Sequence, residues 1–167
     1  VDRVLDAADV VIADDSGAVA LAGVMGGLTT EIDEASRSVV LEAAHFQPAL
    51  VAATSRRHKL SSEASRRFER GIDSDVALAA SNRAAQLFAA LASATVGGLV
   101  DVDRREPIMS IEMAMDMPSR IVGVDIPEET VRAILANIGC SVEGETVTPP
   151  TWRPDLIAAI DLVEEVA

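Results

Sequence analysis

LEAAHFQPALVAATSRRHKLSSEASRRFERG, residues 41–71, contains the local patterns that decide the fold of the first part of the chain. Pro48 stands where a proline occupies the first turn of a helix, and the pattern predicts a helix from 48 to about 57. The apolar run at 38–46 predicts a buried strand, and the alternating residues at 62–71 predict an extended segment. Strands and helices in this succession indicate an α+β fold.

Turn residues separate further elements on both sides of this stretch. The sequence predicts a hairpin turning at residues 14–17, a helix over 75–91, strands over 94–103 and 109–115, a helix over 127–138 and a hairpin around Gly144. Charged and turn residues cluster before Pro107 and predict a domain boundary there. We therefore expect two units: a mixed sheet with helices in residues 1–106, and a small helix-and-hairpin, winged-helix-like domain in residues 107–167.

Composition limits the classes of protein to which the chain can belong. Apolar residues make up 49% of the 167 residues, as in globular proteins, and no apolar run approaches the ~20 residues of a membrane helix. The net charge of −13 opposes binding to phosphate backbones, so neither DNA nor a membrane is an expected partner. Cys140 is the one cysteine, which excludes an internal disulfide and fits a reducing cytoplasm.

Three segments, in this order, resemble the beta subunit of bacterial phenylalanyl-tRNA synthetases. They are LAGVMGG at 21–27, TSRRHKLSSEASRRFERG at 54–71 and TPPTWRPDLIAAIDLVEEVA at 148–167. The resemblance implies a piece of a larger subunit: the C-terminal part of the central editing domain, followed by most of the small fifth domain. The chain begins without Met and ends within an apparent helix, which also suggests a fragment.

The resemblance also implies a function and partners. In the family, an alpha subunit uses ATP to activate phenylalanine and transfers it to tRNA. The beta subunit completes a tetramer of two alpha and two beta subunits, holds the tRNA and hydrolyses tyrosine that was attached by mistake. An isolated fragment of it is expected to be inactive.

A group of acidic residues near the end of the sequence is a candidate magnesium site. Asp161, Glu164 and Glu165 have the spacing that places carboxylates on one face of a helix, and Asp155 precedes them. Carboxylate oxygens suit Mg²⁺, although an acidic solvent-exposed helix face gives the same pattern. The resemblance implies that these four residues bind a magnesium ion shared with the alpha subunit.

A second candidate site is a pocket around Glu42, a carboxylate in an otherwise apolar segment. Such a carboxylate requires a partner, which could be a basic residue such as Arg56 or Arg66, or a ligand. The resemblance implies that Glu42 accepts the hydroxyl of tyrosine in the editing pocket, with Gly23, Ser62 and Ala64 around it. Relatives often have Thr where this chain has Ser62.

Two other interpretations compete with an editing enzyme. One is a non-catalytic acidic scaffold whose helices only pack against a partner. The other is DNA binding by the helix and hairpin of residues 108–167. The second conflicts with charge, because that segment has three basic residues against eleven acidic ones, a net charge of −8. A pocket bounded by Gly23, Glu42, Ser62 and Ala64 would favour editing over the scaffold.

Overall fold

The computed structural model describes residues 2–167, which divide into two compact units. Unit 1 takes the residues up to Ile72 together with Val76–Val96, and unit 2 takes Asp73–Asp75 with Gly97–Ala167. Each unit combines short strands with helices, so the predicted α+β class is confirmed. No helix in the described part of the chain is both long and apolar enough to cross a membrane.

Unit 1 contains a three-stranded antiparallel sheet in the order β1-β2-β3. Its strands are β1 (Val11–Asp14), β2 (Gly17–Leu21) and β3 (Met25–Gly26). Between β1 and β2 the Asp14 carboxylate accepts a hydrogen bond from the Ser16 backbone N–H at 2.8 Å. Gly17 follows with a φ of 122°, a conformation that favours glycine. The predicted first hairpin is therefore confirmed.

Three helices of unit 1 follow the sheet and a short 3-10 turn at Leu28–Thr30. They are α1 (Pro48–His58), α2 (Glu63–Phe68) and α3 (Val76–Ala92). The predicted helices over 48–57 and 75–91 are thus confirmed. The core of the unit consists of Leu21, Val24 and Val51, with Val11, Phe46, Leu60 and Phe68 packed against them. Turns of the sheet and the helices α1 and α2 therefore meet in one small apolar cluster.

Two segments on either side of α1 differ from the sequence prediction. The strand predicted at 38–46 is wrong: the segment has no regular structure and Val40 is 99% exposed. A strand needs a hydrogen-bonded neighbour, and none of the described strands pairs with this segment. The extended segment predicted at 62–71 is also wrong, because Ser62 and Ser65 cap α2 reciprocally, each hydroxyl accepting the other's backbone N–H at 3.0 Å.

The mixed sheet predicted for the first unit is replaced by an antiparallel one. All strand pairings described within residues 2–167 are antiparallel. Short turns connect β1 to β2 and β2 to β3, and connections of that length can join only antiparallel neighbours. The segment 94–103, predicted as a strand, is irregular and contributes no parallel neighbour.

Unit 2 combines three helices with a second antiparallel sheet, in the order β4-β6-β5. Its elements are β4 (Ile111–Glu112), α4 (Met117–Val122), α5 (Glu128–Asn137), β5 (Ser141–Glu143), β6 (Thr146–Thr148) and α6 (Ala159–Val166). The predicted helix over 127–138 is confirmed as α5, and the β5–β6 hairpin around Gly144 is confirmed as well. Val131, Leu135, Val147 and Leu162 are completely buried in the core of this unit.

Candidate functional site

The turn between β2 and β3 places Gly23 against aromatic side chains. Gly23 has a φ of 67°, and a Cβ atom there would lie 3.1 Å from Phe46 Cδ2 and 3.2 Å from carbons of Phe68 and Val51. The rings of Phe46 and Phe68 form a tilted pair with centroids 5.1 Å apart. Gly23 is therefore the position at which the backbone of the turn comes close to this pair.

Ser62 is connected to the same turn by a hydrogen bond. Its hydroxyl donates to the carbonyl oxygen of Val24 at 2.7 Å while it caps α2 through the Ser65 N–H. Ala64 lies in the first turn of α2 and is exposed. The structure thus brings Gly23 and Ser62 together through Val24, with Ala64 two residues further on.

Glu42 lies in the irregular segment before α1 and is exposed by surface area. Neighbouring protein atoms nevertheless remove part of its hydration, and this desolvation raises the pKa of its carboxyl group. Within residues 2–167 the Glu42 carboxylate has no described hydrogen bond or ion pair, and neither Arg56 nor Arg66 is its partner. No described contact joins Glu42 to Gly23. The pocket formed by Gly23, Glu42, Ser62 and Ala64 therefore stays a prediction.

A groove of about 690 Å³ lies along the sheet of unit 1. Its walls come from β2, β3, the 3-10 turn, Leu5 and Leu60, and Arg3 lies at its side. Gly23, Glu42, Ser62 and Ala64 are not among the residues that line it. The groove is therefore a separate feature from the predicted editing pocket.

In unit 2, Arg153 connects two of the four acidic residues predicted as magnesium ligands. Its guanidinium donates to Asp155 Oδ1 at 2.9 Å and to Asp155 Oδ2 at 2.7 Å, and also to Glu165 Oε1 at 2.6 Å. The hydrogen bond from Arg153 lowers the pKa of the Asp155 carboxyl group, and the two carboxylates together raise the pKa of Arg153. Both carboxylates thus already have a positive partner within the chain.

The other two acidic residues have separate surroundings. Asp161 Oδ2 accepts the backbone N–H groups of Ile157 at 3.0 Å and Ala158 at 2.8 Å, so it caps the start of α6. Glu164 is exposed on the same helix. The residues from 2 to 167 contain no group of three His, Cys, Asp or Glu side chains placed to hold a metal ion. Carboxylates suit magnesium chemically, and binding of a shared magnesium ion by these four residues stays a prediction.

Two domain families match consecutive parts of the sequence. The B3/4 domain matches residues 1–93, more than half of the chain, and the tRNA synthetase B5 domain matches residues 111–167. The chain belongs to the B3/4 domain family. The predicted pocket residues Gly23, Glu42, Ser62 and Ala64 all fall in the B3/4 match, and the four acidic residues fall in the B5 match.

Similar sequences are beta subunits of phenylalanine–tRNA ligases. The chain is 52% identical to the one from Thermobifida fusca over 98% of its own length and 20% of the relative's. The beta subunits from Nocardia farcinica and Cutibacterium acnes are each 50% identical over 99% of this chain. The chain spans about a fifth of the length of these relatives. The resemblance to the beta-subunit family is thereby confirmed.

The B3/4 part of the chain also contains a buried charged cluster that sequence reasoning missed. Asp9 has no exposed side-chain surface; it accepts hydrogen bonds from Arg57 and the Asp6 backbone N–H, and lies 2.7 Å from His58 Nε2. Burial alone would raise the pKa of Asp9, but the hydrogen bonds from Asp6, His58 and Arg57 hold it well below its ordinary value. The cluster attaches the segment before β1 to the end of α1.

The sequence gives no signal for this cluster, because Asp9 and His58 are separated by 49 positions. His58 stands between Arg57 and Lys59 in a basic run, a place typical of surface or helix-capping residues, yet its side chain is only 6% exposed. In the B3/4 domain this histidine is therefore an internal structural residue. Lys59, which follows His58, has a left-handed φ of 52° and marks the end of α1. This local pattern does not show that Asp9 is the partner of His58.

Proposed function

We propose that the chain is part of the beta subunit of a phenylalanine–tRNA ligase and contributes to the attachment of phenylalanine to tRNA. The observation that supports this function best is the identity of about half the residues with such beta subunits over nearly the whole chain. The B3/4 and B5 domains also follow one another here in a single sequence. The proposal includes ATP as a substrate of the assembled enzyme, tRNA as a ligand and an alpha subunit as partner, in a tetramer of two alpha and two beta subunits.

A segment exchange tests this function directly. The matching fifth of the Thermobifida fusca beta subunit is replaced by this chain, and the hybrid is produced together with the T. fusca alpha subunit. We expect the hybrid to assemble and to attach phenylalanine to tRNA, because half of the residues are already shared. A second hybrid containing Leu135→Ala, which opens a cavity in the unit 2 core, serves as a folding control. A folded hybrid that assembles with the alpha subunit but charges no tRNA would contradict the proposal.

The finer part of the proposal is that Glu42 takes part in clearing tyrosine from mischarged tRNA. Tyrosine differs from phenylalanine by one hydroxyl, and an apolar pocket alone separates such a pair weakly. A carboxylate that is partly desolvated and has no described partner is an available acceptor for that hydroxyl. Gly23 and Ser62, which share the turn at Val24, supply backbone and hydroxyl groups on the same side of unit 1 as the Phe46–Phe68 pair.

The test compares Glu42→Ala with Glu34→Ala in the complete ligase. Loss of the Glu42 acceptor is expected to slow tyrosyl-tRNA hydrolysis by about 10–100-fold. This ratio of rates corresponds to the free energy of one hydrogen bond to a charged group. Attachment of phenylalanine should change little. Glu34 is a matched control because it is an exposed acid in the same irregular segment. Equal hydrolysis rates in the two variants would rule out this role for Glu42.

A non-catalytic scaffold is the second candidate, and one observation favours it. The Phe46–Phe68 pair occupies the space next to Gly23, and the 690 Å³ groove is lined by other residues. For a scaffold, substitutions in unit 1 would reduce assembly with the alpha subunit and phenylalanine attachment in parallel, with no separate effect on tyrosyl-tRNA. The same Glu42→Ala measurement therefore separates the two candidates.

A further inference from the structure

Arg153 differs in its contacts from the other arginines of residues 108–167. Arg120 pairs with Asp116 at 3.4 Å and Arg132 pairs with Glu128 at 2.6 Å, each within one helix at the i,i+4 spacing. Arg153 instead joins a loop to α6, twelve residues further on. Pairs of the first kind contribute little to stability, whereas Arg153 makes a forked contact to Asp155 and a further hydrogen bond to Glu165, which ties the loop to α6.

The loop that contains Arg153 is held at its other end by packing. Gly139, at φ 95°, lies so close to the loop that a Cβ atom there would be 2.7 Å from Trp152 Cζ2 and 3.2 Å from Pro150 Cγ. The Arg153 backbone N–H closes a turn by donating to the Pro150 carbonyl at 3.0 Å. The Arg153 side chain is 23% exposed and the Glu165 side chain is 29% exposed, so this ion pair is partly shielded from water.

These contacts conflict with direct metal binding by Asp155 and Glu165. Magnesium requires carboxylate oxygens at about 2.0–2.1 Å in a near-octahedral arrangement. The two carboxylates now accept charge-assisted hydrogen bonds from one guanidinium, and that cation would be left without its partners if they turned to a metal. A positive charge is thus already bound to two of the four predicted ligands.

We propose that Arg153 is a positioning residue that supplies, from within the chain, the positive charge holding the Asp155 loop on α6, and that a divalent cation reaches Asp155 and Glu165 only by displacing it. This role belongs to unit 2 itself and does not depend on the ligase function proposed above. It predicts that the wild-type chain binds divalent cations weakly although four carboxylates lie in this region.

The test measures Mn²⁺ binding to the 167-residue chain by electron paramagnetic resonance, and thermal unfolding in EDTA and in Mg²⁺. The variants are Arg153→Met, Arg153→Lys and the control Arg132→Met, which removes an in-helix pair. We expect Arg153→Met to bind Mn²⁺ at least about tenfold more tightly than wild type, a factor well above the effect of a surface pair. It should also unfold at a lower temperature in EDTA and regain part of the loss in Mg²⁺.

Arg153→Lys is expected to fall between wild type and Arg153→Met in Mn²⁺ affinity, because one ammonium group cannot reproduce the forked contact to both carboxylates. Arg132→Met should match wild type. Tight Mn²⁺ binding by the wild-type chain, or unchanged affinity in Arg153→Met, would overturn the proposal. If Arg153→Met fails to fold, as judged by circular dichroism, the order of Arg153→Lys and wild type decides: equal affinities reject the displacement.

Discussion

Replacing Gly23 by alanine tests the packing of the turn between β2 and β3. The substitution has two costs that the structure separates. The left-handed φ of 67° costs an alanine about 1–2 kcal/mol, since its Cβ crowds the backbone. The new methyl group would also lie within 3.2 Å of Phe46, Phe68 and Val51, and overpacking of this kind costs about 1–3 kcal/mol. We expect Gly23→Ala to lower the free energy of unfolding of unit 1 by about 2–5 kcal/mol.

Two other glycines provide matched controls for these costs. Gly144 has a φ of 64° but nothing within 4 Å of a Cβ, so Gly144→Ala should cost only the conformational part, about 1–2 kcal/mol. Gly26 has neither the left-handed φ nor a close neighbour, and Gly26→Ala should change stability by less than about 1 kcal/mol.

The assay is urea unfolding of the whole chain, followed by circular dichroism at 222 nm and by tryptophan fluorescence. Trp152 is the one tryptophan of the chain and belongs to unit 2, so its fluorescence shows which unit has lost stability. A Gly23→Ala chain that loses no more stability than Gly144→Ala would refute the close packing of the turn against the two phenylalanines.

Two further predictions concern Asp9 and Gly139. Asp9→Asn should lower the stability of unit 1 by about 2–3 kcal/mol, less than for a fully buried pair because Arg57 is 33% exposed. Because the folded pKa of Asp9 is depressed, its contribution is fully present above the unfolded value near 4 and is lost as pH falls below it. Urea titrations at decreasing pH should therefore show the gap between wild type and Asp9→Asn narrowing below about pH 4, and a constant gap would contradict this. Gly139→Ala should destabilise unit 2 more than Gly123→Ala, because Gly123 has a similar φ of 77° but no neighbour within 4 Å. The Gly139→Ala substitution should also alter Trp152 fluorescence. Equal losses of stability in the two variants would show that Trp152 does not pack on Gly139.

Local signals in the sequence were sufficient for the elements that contain their own punctuation. Helix α5 has an apolar stripe between Pro127 and Gly139, and the hairpins at Gly17 and Gly144 have turn residues between apolar runs. The segment 38–46 has no such local signal. An apolar run forms a strand only beside a partner strand, and the run itself does not show whether one is present. Helix α2 was missed because its alternating charges resembled a strand, although the serines at 62 and 65 have capping-box spacing.

The candidate sites show the same limit at longer range. The family resemblance pointed to Gly23 and Ser62, and the structure connects them through the Val24 carbonyl. The spacing of the acidic residues on α6 was also evident from the sequence, but spacing does not show which group each carboxylate contacts in the folded chain. Arg153 donates hydrogen bonds to Asp155 and Glu165, and backbone N–H groups donate to Asp161. Both sets of hydrogen bonds depend on three-dimensional contacts.

The hydrogen bonds of Ser62 also determine the kind of group that it can recognise. A serine hydroxyl has one proton to donate and two lone pairs to accept with. The Val24 carbonyl takes the proton and the Ser65 N–H takes one lone pair, so a single acceptor position remains. A ligand group that meets Ser62 in this arrangement must bring its own proton, as a phenol or an ammonium does, and a bare carbonyl or ether oxygen would be repelled.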